Sequence, residues 1–228
     1  MNLKAMAIAA GCLVAAVPAM AAPVVWVDWT SGTPGASGSA SGVVDLGAPG
    51  PDASDIAVSY SGEIAFIQTA GGTDYWKPAA PYISALVDNA PGTPDIIALS
   101  SATSKTLTFS APVDNLFFAV VSLNGNGYSF NEDFEIVSSG CGYWGCGSFS
   151  KEIVGSEYRL IGSGEPHGVI RFNRAVDSIT WSSLTNENWN GFTVGTYGAA
   201  PVPEPSSYAL MALGLAVLGG VARRRAVR

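Results

Sequence analysis

The chain has 228 residues, 48% hydrophobic and 13% charged, with 27 Gly and 14 Pro. A net charge of −7 argues against a nucleic-acid binder, and the hydrophobic share argues against disorder. Glycine and proline recur too often for an all-helical or coiled-coil chain, so one domain, at most two, with a sizeable core is expected.

Residues 1–22 have the three-part layout of a secretory signal. Lys4 supplies the positive start, residues 5–17 the apolar stretch, and Ala19-Met20-Ala21 an A-x-A cleavage site. The mature chain is expected to begin near Ala22. Ala9-Ala10-Gly11-Cys12 departs from a lipobox at Ala9, where Leu is usual, so export without lipidation is the reading.

Residues 23–200 read as an ectodomain of many short strands. Its six basic and seventeen acidic residues leave a charge near −11 once Lys4, Glu204 and the four C-terminal arginines are set aside. Strands are expected at 23–29, 55–60, 63–68 and 95–99. Lys105-Thr106-Leu107-Thr108-Phe109 alternates polar and apolar, as a half-buried strand does. Residues 115–123 are almost continuously apolar and predict a central core strand. Further strands are expected at 133–137, 168–172, 177–181 and 191–197. The Gly/Ser/Ala-rich residues 31–41 read as a loop, as do 47–51 and 88–94. No amphipathic helix of useful length appears here. The fold class is therefore all-β, a β-sandwich or jelly roll, with helices only in an N-terminal signal and a C-terminal membrane anchor.

Candidate chemistry in the ectodomain is sparse. Cys141 and Cys146 lie five positions apart in a Gly-rich segment, and in an oxidising compartment they predict a disulfide that fixes a turn presenting Tyr143 and Trp144. Metal ligation by this pair needs two more soft ligands, and the chain has one histidine. That histidine, His167, reads as a turn residue with local hydrogen bonds, and Ser163 sits in no nucleophile-elbow pattern. Glu132, Asp133 and Glu135 lack EF-hand spacing and read as a solvated acidic turn, with calcium as the alternative. Neither a metal nor a cofactor is expected, and no catalytic residue is assigned. Trp26 and Trp181 fall on expected strands and read as core. Tyr143, Trp144 and Trp189 fall in loops, the last among the asparagines of 186–190, and are candidates for stacking on a sugar ring.

Residues 201–228 form a second special end. Val202-Pro203-Glu204-Pro205 precedes an uncharged stretch of 17 residues, 206–222, and then Arg223-Arg224-Arg225 within a basic tail, 223–228. Seventeen helical residues rise about 26 Å, near the lower limit for crossing a bilayer core. The arginines favour the cytoplasmic side, which places the ectodomain across the membrane.

This order, Pro-Glu-Pro, spanning helix, basic tail, resembles the PEP-CTERM sorting signal of exported bacterial proteins, a module also labelled an ice-binding protein C-terminal domain. The resemblance covers about a tenth of the chain and describes sorting; nothing in the residues supports ice binding. It implies processing by exosortase, a membrane-embedded cysteine transpeptidase-like enzyme. It also implies anchoring in the inner membrane of a Gram-negative bacterium by the C-terminal helix before processing, then delivery to the cell surface or exopolysaccharide matrix. Asp95 to Leu99, Thr108 to Val113, Val121 to Leu123, Glu165 to Phe172 and Trp189 to Gly195 resemble segments of PEP-CTERM ectodomains. That likeness implies a β-sandwich surface protein and transfers no catalytic residue.

The expected function is that of an exported, non-enzymatic surface or matrix protein. The alternatives are a carbohydrate-binding module, with exopolysaccharide as partner, and a secreted hydrolase built on carboxylates such as Glu157 or Glu165.

Overall fold

The unbroken apolar run of residues 117–121 has both of its faces covered. Phe118 and Val120 point into one core, Phe117, Ala119 and Val121 into another. The structure, a computed structural model, describes residues 23–47, 54–92, 94–198 and, beyond them, Met211, Gly214, Leu215 and Leu218. The expected signal at 1–22, the motif Val202 to Pro205, the arginines Arg223 to Arg225 and most of the stretch 206–222 lie outside the described residues. The four described positions of that stretch are helical and exposed. Among the described residues no helix is long and apolar enough to cross a membrane.

Fifteen strands run through the described residues. They are β1 (Val24–Trp26), β2 (Asp28–Thr33), β3 (Gly35–Val44), β4 (Ile56–Ile64), β5 (Phe66–Gln68), β6 (Ile96–Leu99), β7 (Ser104–Val113) and β8 (Phe117–Val121). There follow β9 (Gly127–Phe130), β10 (Phe134–Gly140), β11 (Gly147–Val154), β12 (Glu157–Gly164), β13 (His167–Phe172), β14 (Val176–Ser183) and β15 (Asn190–Tyr197). One 3-10 turn, Ala80–Tyr82, interrupts the long connection from β5 to β6.

The strands form two antiparallel sheets. One has the order β10-β13-β8-β15-β6-β5, with β1 also on β15; the other has the order β11-β12-β9-β14-β7-β4-β3-β2. Two sheets of seven and eight strands hold nearly twice the eight of a jelly roll. The inward faces share an aromatic core of Trp29, Tyr60, Phe118, Tyr128, Phe130, Trp181 and Phe192. Phe118 stacks on Phe192 at 4.8 Å between ring centroids, and Trp181 meets Phe118 edge-on at 5.4 Å. Each such side chain contributes roughly 1.5–3 kcal/mol by leaving water. The second core lies on the outer face of the seven-stranded sheet, where the β5–β6 connection lays Trp76, Tyr82 and Val87 over Phe117, Val121 and Val169. That cover is why β8 lacks the polar alternation of a half-exposed strand.

Residues 31–33 and 35–41, expected as a loop, are strand, with Pro34 between the two. They pair in register across β2 and β3, Ser31 opposite Ser41 and Thr33 opposite Ser39, and β3 continues onto β4. Gly38 in that segment and Gly42 just beyond it make room for bulk. A Cβ on Gly38 would stand 2.9 Å from Ile64 Cγ1, and one on Gly42 would stand 2.8 Å from Val27 Cγ2. β9, β11 and β12 are further strands without an expected counterpart.

The connections that pass between the sheets at 65, 100–103, 122–126, 141–146, 165–166 and 184–189 gather at one end of the sandwich. The register requires it: Gly191 pairs with both Val121 and Ala98, and Gly140 with His167. β15 starts at that end and leaves at the other, about 24 Å away for its length.

Candidate functional site

Local chemistry ties the gathered loops together. Asn126, buried in the β8–β9 loop, accepts at Oδ1 from the backbone N–H of Gly127 (2.8 Å) and of Thr185 (2.9 Å). Its amide donates to Thr185 O (2.9 Å) and Glu187 Oε1 (3.1 Å). The β6–β7 loop joins through Glu187 N–H to Ser100 O at 3.1 Å and Ala102 N–H to Asn186 Oδ1 at 2.6 Å. Leu123 N–H donates to Pro166 O at 3.2 Å, and Glu165 N–H to Cys146 O at 2.9 Å. Under this layer lie two buried charges, each held by hydrogen bonds of its own. Lys105 donates to Ser101 O (2.6 Å), Thr103 O (2.8 Å) and Ser183 Oγ (3.1 Å), while the Glu63 carboxylate accepts from the N–H groups of Ser100 and Ser101.

Cys141 and Cys146 form the expected disulfide. Their turn closes with Gly142 N–H on Gly145 O at 2.8 Å and holds Tyr143 and Trp144 outward, 43% and 55% exposed. Trp144 meets Trp189 at 6.3 Å between centroids and Tyr143 at 4.9 Å, so the three loop aromatics share one site. Tyr75, from the β5–β6 connection, completes the cluster at 5.0 Å from Trp189, 5.1 Å from Tyr143 and 6.4 Å from Trp144. Phe66 backs Trp189 at 5.0 Å.

Beside the aromatics opens a cleft of about 340 Å³ lined by Ser122, Asn124, Trp144, Glu165, Glu187, Asn188 and Trp189. Ser122 has φ of 60°, in the left-handed region that costs a serine about 1–3 kcal/mol, and its hydroxyl donates to Glu165 Oε1. Glu187 Oε1 accepts from the side-chain amides of Asn126 and Asn190, and Tyr128 Oη in turn donates to Asn190. Burial pushes the Glu187 carboxyl up to about 7, and the Glu165 charge adds to the rise against the N–H donors of Asn126 and Asn124.

The other candidates are placed elsewhere. His167 is not a turn residue with local bonds. It begins β13, is fully buried, and its Nδ1 pairs with Tyr82 Oη at 3.1 Å, 85 residues away. Burial lowers its pKa to about 4. Glu157 is exposed and held by Ser129 and Arg159, on β12 and outside the cleft that Glu165 lines. Glu132, Asp133 and Glu135 are each taken by a cation, Arg174, Lys151 and Arg171 respectively. Trp29, Trp76 and Trp181 are buried, and Trp26 is half-buried with its indole N–H on Asn89 O at 3.1 Å. Glu187 and Tyr75 were not anticipated from the sequence, although Glu187 stands inside the asparagine-rich segment around Trp189.

Fold and site together define a two-sheet β-sandwich with an aromatic, acidic cleft among the loops of one end. Residues 201–226 match the family model described as the PEP-CTERM protein-sorting motif, and the chain is a protein that carries this sorting domain. The motif implies an exported protein processed by exosortase, a membrane enzyme. No curated protein and no solved structure matches the chain.

Proposed function

We propose that this is a surface or exopolysaccharide-matrix protein that acts without catalysis, by binding polysaccharide in the cleft between Trp144 and Trp189. The observation that carries this reading is the joint lining of one open cleft by two tryptophans and by the polar side chains of Asn124, Asn188, Ser122, Glu165 and Glu187. A pyranose ring has apolar C–H faces that stack on indole and equatorial hydroxyls that amides and carboxylates can bind, which is this combination. The strand that precedes the sorting motif, β15, ends at the end of the sandwich opposite the cleft.

Pull-down of the full chain by exopolysaccharide and a glycan array test this reading. The wild type binds, and Trp144→Ala or Trp189→Ala weakens binding about tenfold or more; absence of wild-type binding would sink it. Mass spectrometry of the exported protein tests the sorting half. A C-terminus upstream of Arg228 is expected, and an intact Arg228 at the surface refutes processing.

A second reading, glycoside hydrolysis, is supported by one observation: two carboxylates of unlike environment, Glu165 and Glu187, line the same cleft. Release of new reducing ends, abolished by Glu165→Gln or Glu187→Gln, would establish it in place of simple binding.

A further inference from the structure

The cleft holds two carboxylates and no cation. Neither Glu165 nor Glu187 enters an ion pair among the described residues, and no lysine or arginine lines the cleft. Glu132, Asp133, Glu135 and Glu157, by contrast, each hold a lysine or arginine of their own. The groups that touch the cleft carboxylates are neutral donors: the Ser122 hydroxyl for Glu165, and the Asn126 and Asn190 amides for Glu187.

Half-buried carboxylates that line one cleft without a counter-charge lose part of their hydration and repel one another. Burial raises the Glu187 carboxyl to about 7, and the Glu165 charge adds to the rise. A positively charged ligand group reverses it, because it supplies the missing counter-charge to both carboxylates. The cleft walls favour the same sign. The faces of Trp144 and Trp189 carry the negative side of the indole quadrupole and attract an ammonium group. The ectodomain charge near −11 adds a long-range field that draws cations and repels polyanions.

We infer that the cleft selects a cationic glycan, a polysaccharide segment with free amino-sugar residues, whose ammonium group sits between Glu165 and Glu187 while its ring faces stack on Trp144 and Trp189. This inference rests on the glycan-binding reading above and names the class of sugar that reading leaves open. Asn124 and Asn188 take ring hydroxyls, and an N-acetyl group removes the charge that the two carboxylates recognise. Uronic-acid polymers are repelled by the same pair.

The test is calorimetric titration of the full chain at neutral pH with matched oligomers of glucosamine, N-acetylglucosamine, glucose and glucuronic acid. The expected result is binding of the glucosamine oligomer about tenfold or more tighter than the acetylated and neutral oligomers, with no binding of the acidic one. Glu165→Gln and Glu187→Gln each reduce that preference to about threefold or less, with the β-sheet circular dichroism retained. Equal affinity for the glucosamine, acetylated and neutral oligomers, all weakened by Trp144→Ala, overturns the cationic selectivity and leaves glycan binding standing. Preference for the acidic oligomer also overturns it. No binding of any oligomer removes both. The wild-type ligand series decides the matter even where a glutamine variant fails to fold.

Discussion

A Cβ on Gly142 would stand 2.2 Å from Cγ of His167, so the disulfide turn lies directly on the buried imidazole. The position of Trp144, two residues on, therefore depends on a ring that is itself fixed from below by Tyr82. The aromatic wall of the cleft is mounted on the second core.

Gly142→Ala tests that mounting. The added methyl has no room, since His167 is fully buried, and overpacking of this kind costs about 1–3 kcal/mol. A lower urea midpoint is expected, together with weaker polysaccharide binding as the turn lifts. Unchanged stability and binding would show that the turn does not rest on His167.

The disulfide makes a related prediction. Closing so short a loop restrains the unfolded chain modestly, about 2 kcal/mol, so the sandwich should survive reduction. Dithiothreitol or a Cys141→Ser/Cys146→Ser pair should leave the far-ultraviolet circular dichroism in place while loosening Tyr143 and Trp144. Polysaccharide affinity should fall several-fold, read by titration before and after reduction.

Lys105 and Glu63 hold the β6–β7 loop, to which Asn186 and Glu187 are bonded. Lys105→Met leaves the Ser101 and Thr103 carbonyls without their donor and the buried Glu63 carboxylate without its nearby positive charge. Leaving buried groups without their hydrogen-bond partner costs about 1–3 kcal/mol each. Loss of order in residues 100–103 follows, and with it the hydrogen bonds that hold Asn186 and Glu187. Chemical denaturation checks the first effect, and hydrogen exchange at Glu187 N–H checks the second.

Stability should depend on pH in two opposed ways. His167 has a pKa lowered to about 4 by burial, so its contribution is full above about 6.5, the unfolded value, and is lost as pH falls through about 4. Glu187, raised to about 7 chiefly by burial, contributes fully below its ordinary value of 4.5 and loses that contribution as pH rises through about 7. Denaturant midpoints measured across this range should lose their acid limb in His167→Phe and their alkaline limb in Glu187→Gln.

How far the sequence discloses this molecule varies by element. Lys105 to Phe109 alternates because one side of β7 faces the core, and the continuous run around Phe117 to Val121 shows burial on both faces without saying what covers the outer one. That cover comes from Trp76, Tyr82 and Val87 in a connection with no strand pattern of its own. The Gly/Ser/Ala residues of β3 carry no strand signal, since their pairing is stabilised by Trp29, Val27 and Ile64 filling the space that missing side chains leave. Within the cleft, Trp144 and Trp189 stand out as loop aromatics flanked by glycine or asparagine. Their meeting, and the arrival of Tyr75, Glu165 and Glu187 beside them, depend on which loops the sheet order brings to one end. A local pattern carries no record of that order.

The central claim, that the Trp144–Trp189 cleft binds polysaccharide, is tested most directly by tryptophan fluorescence of the full chain titrated with exopolysaccharide. Saturable quenching that weakens about tenfold or more in both Trp144→Ala and Trp189→Ala is the predicted result. A signal that never saturates, or one that both variants leave unchanged, would contradict it.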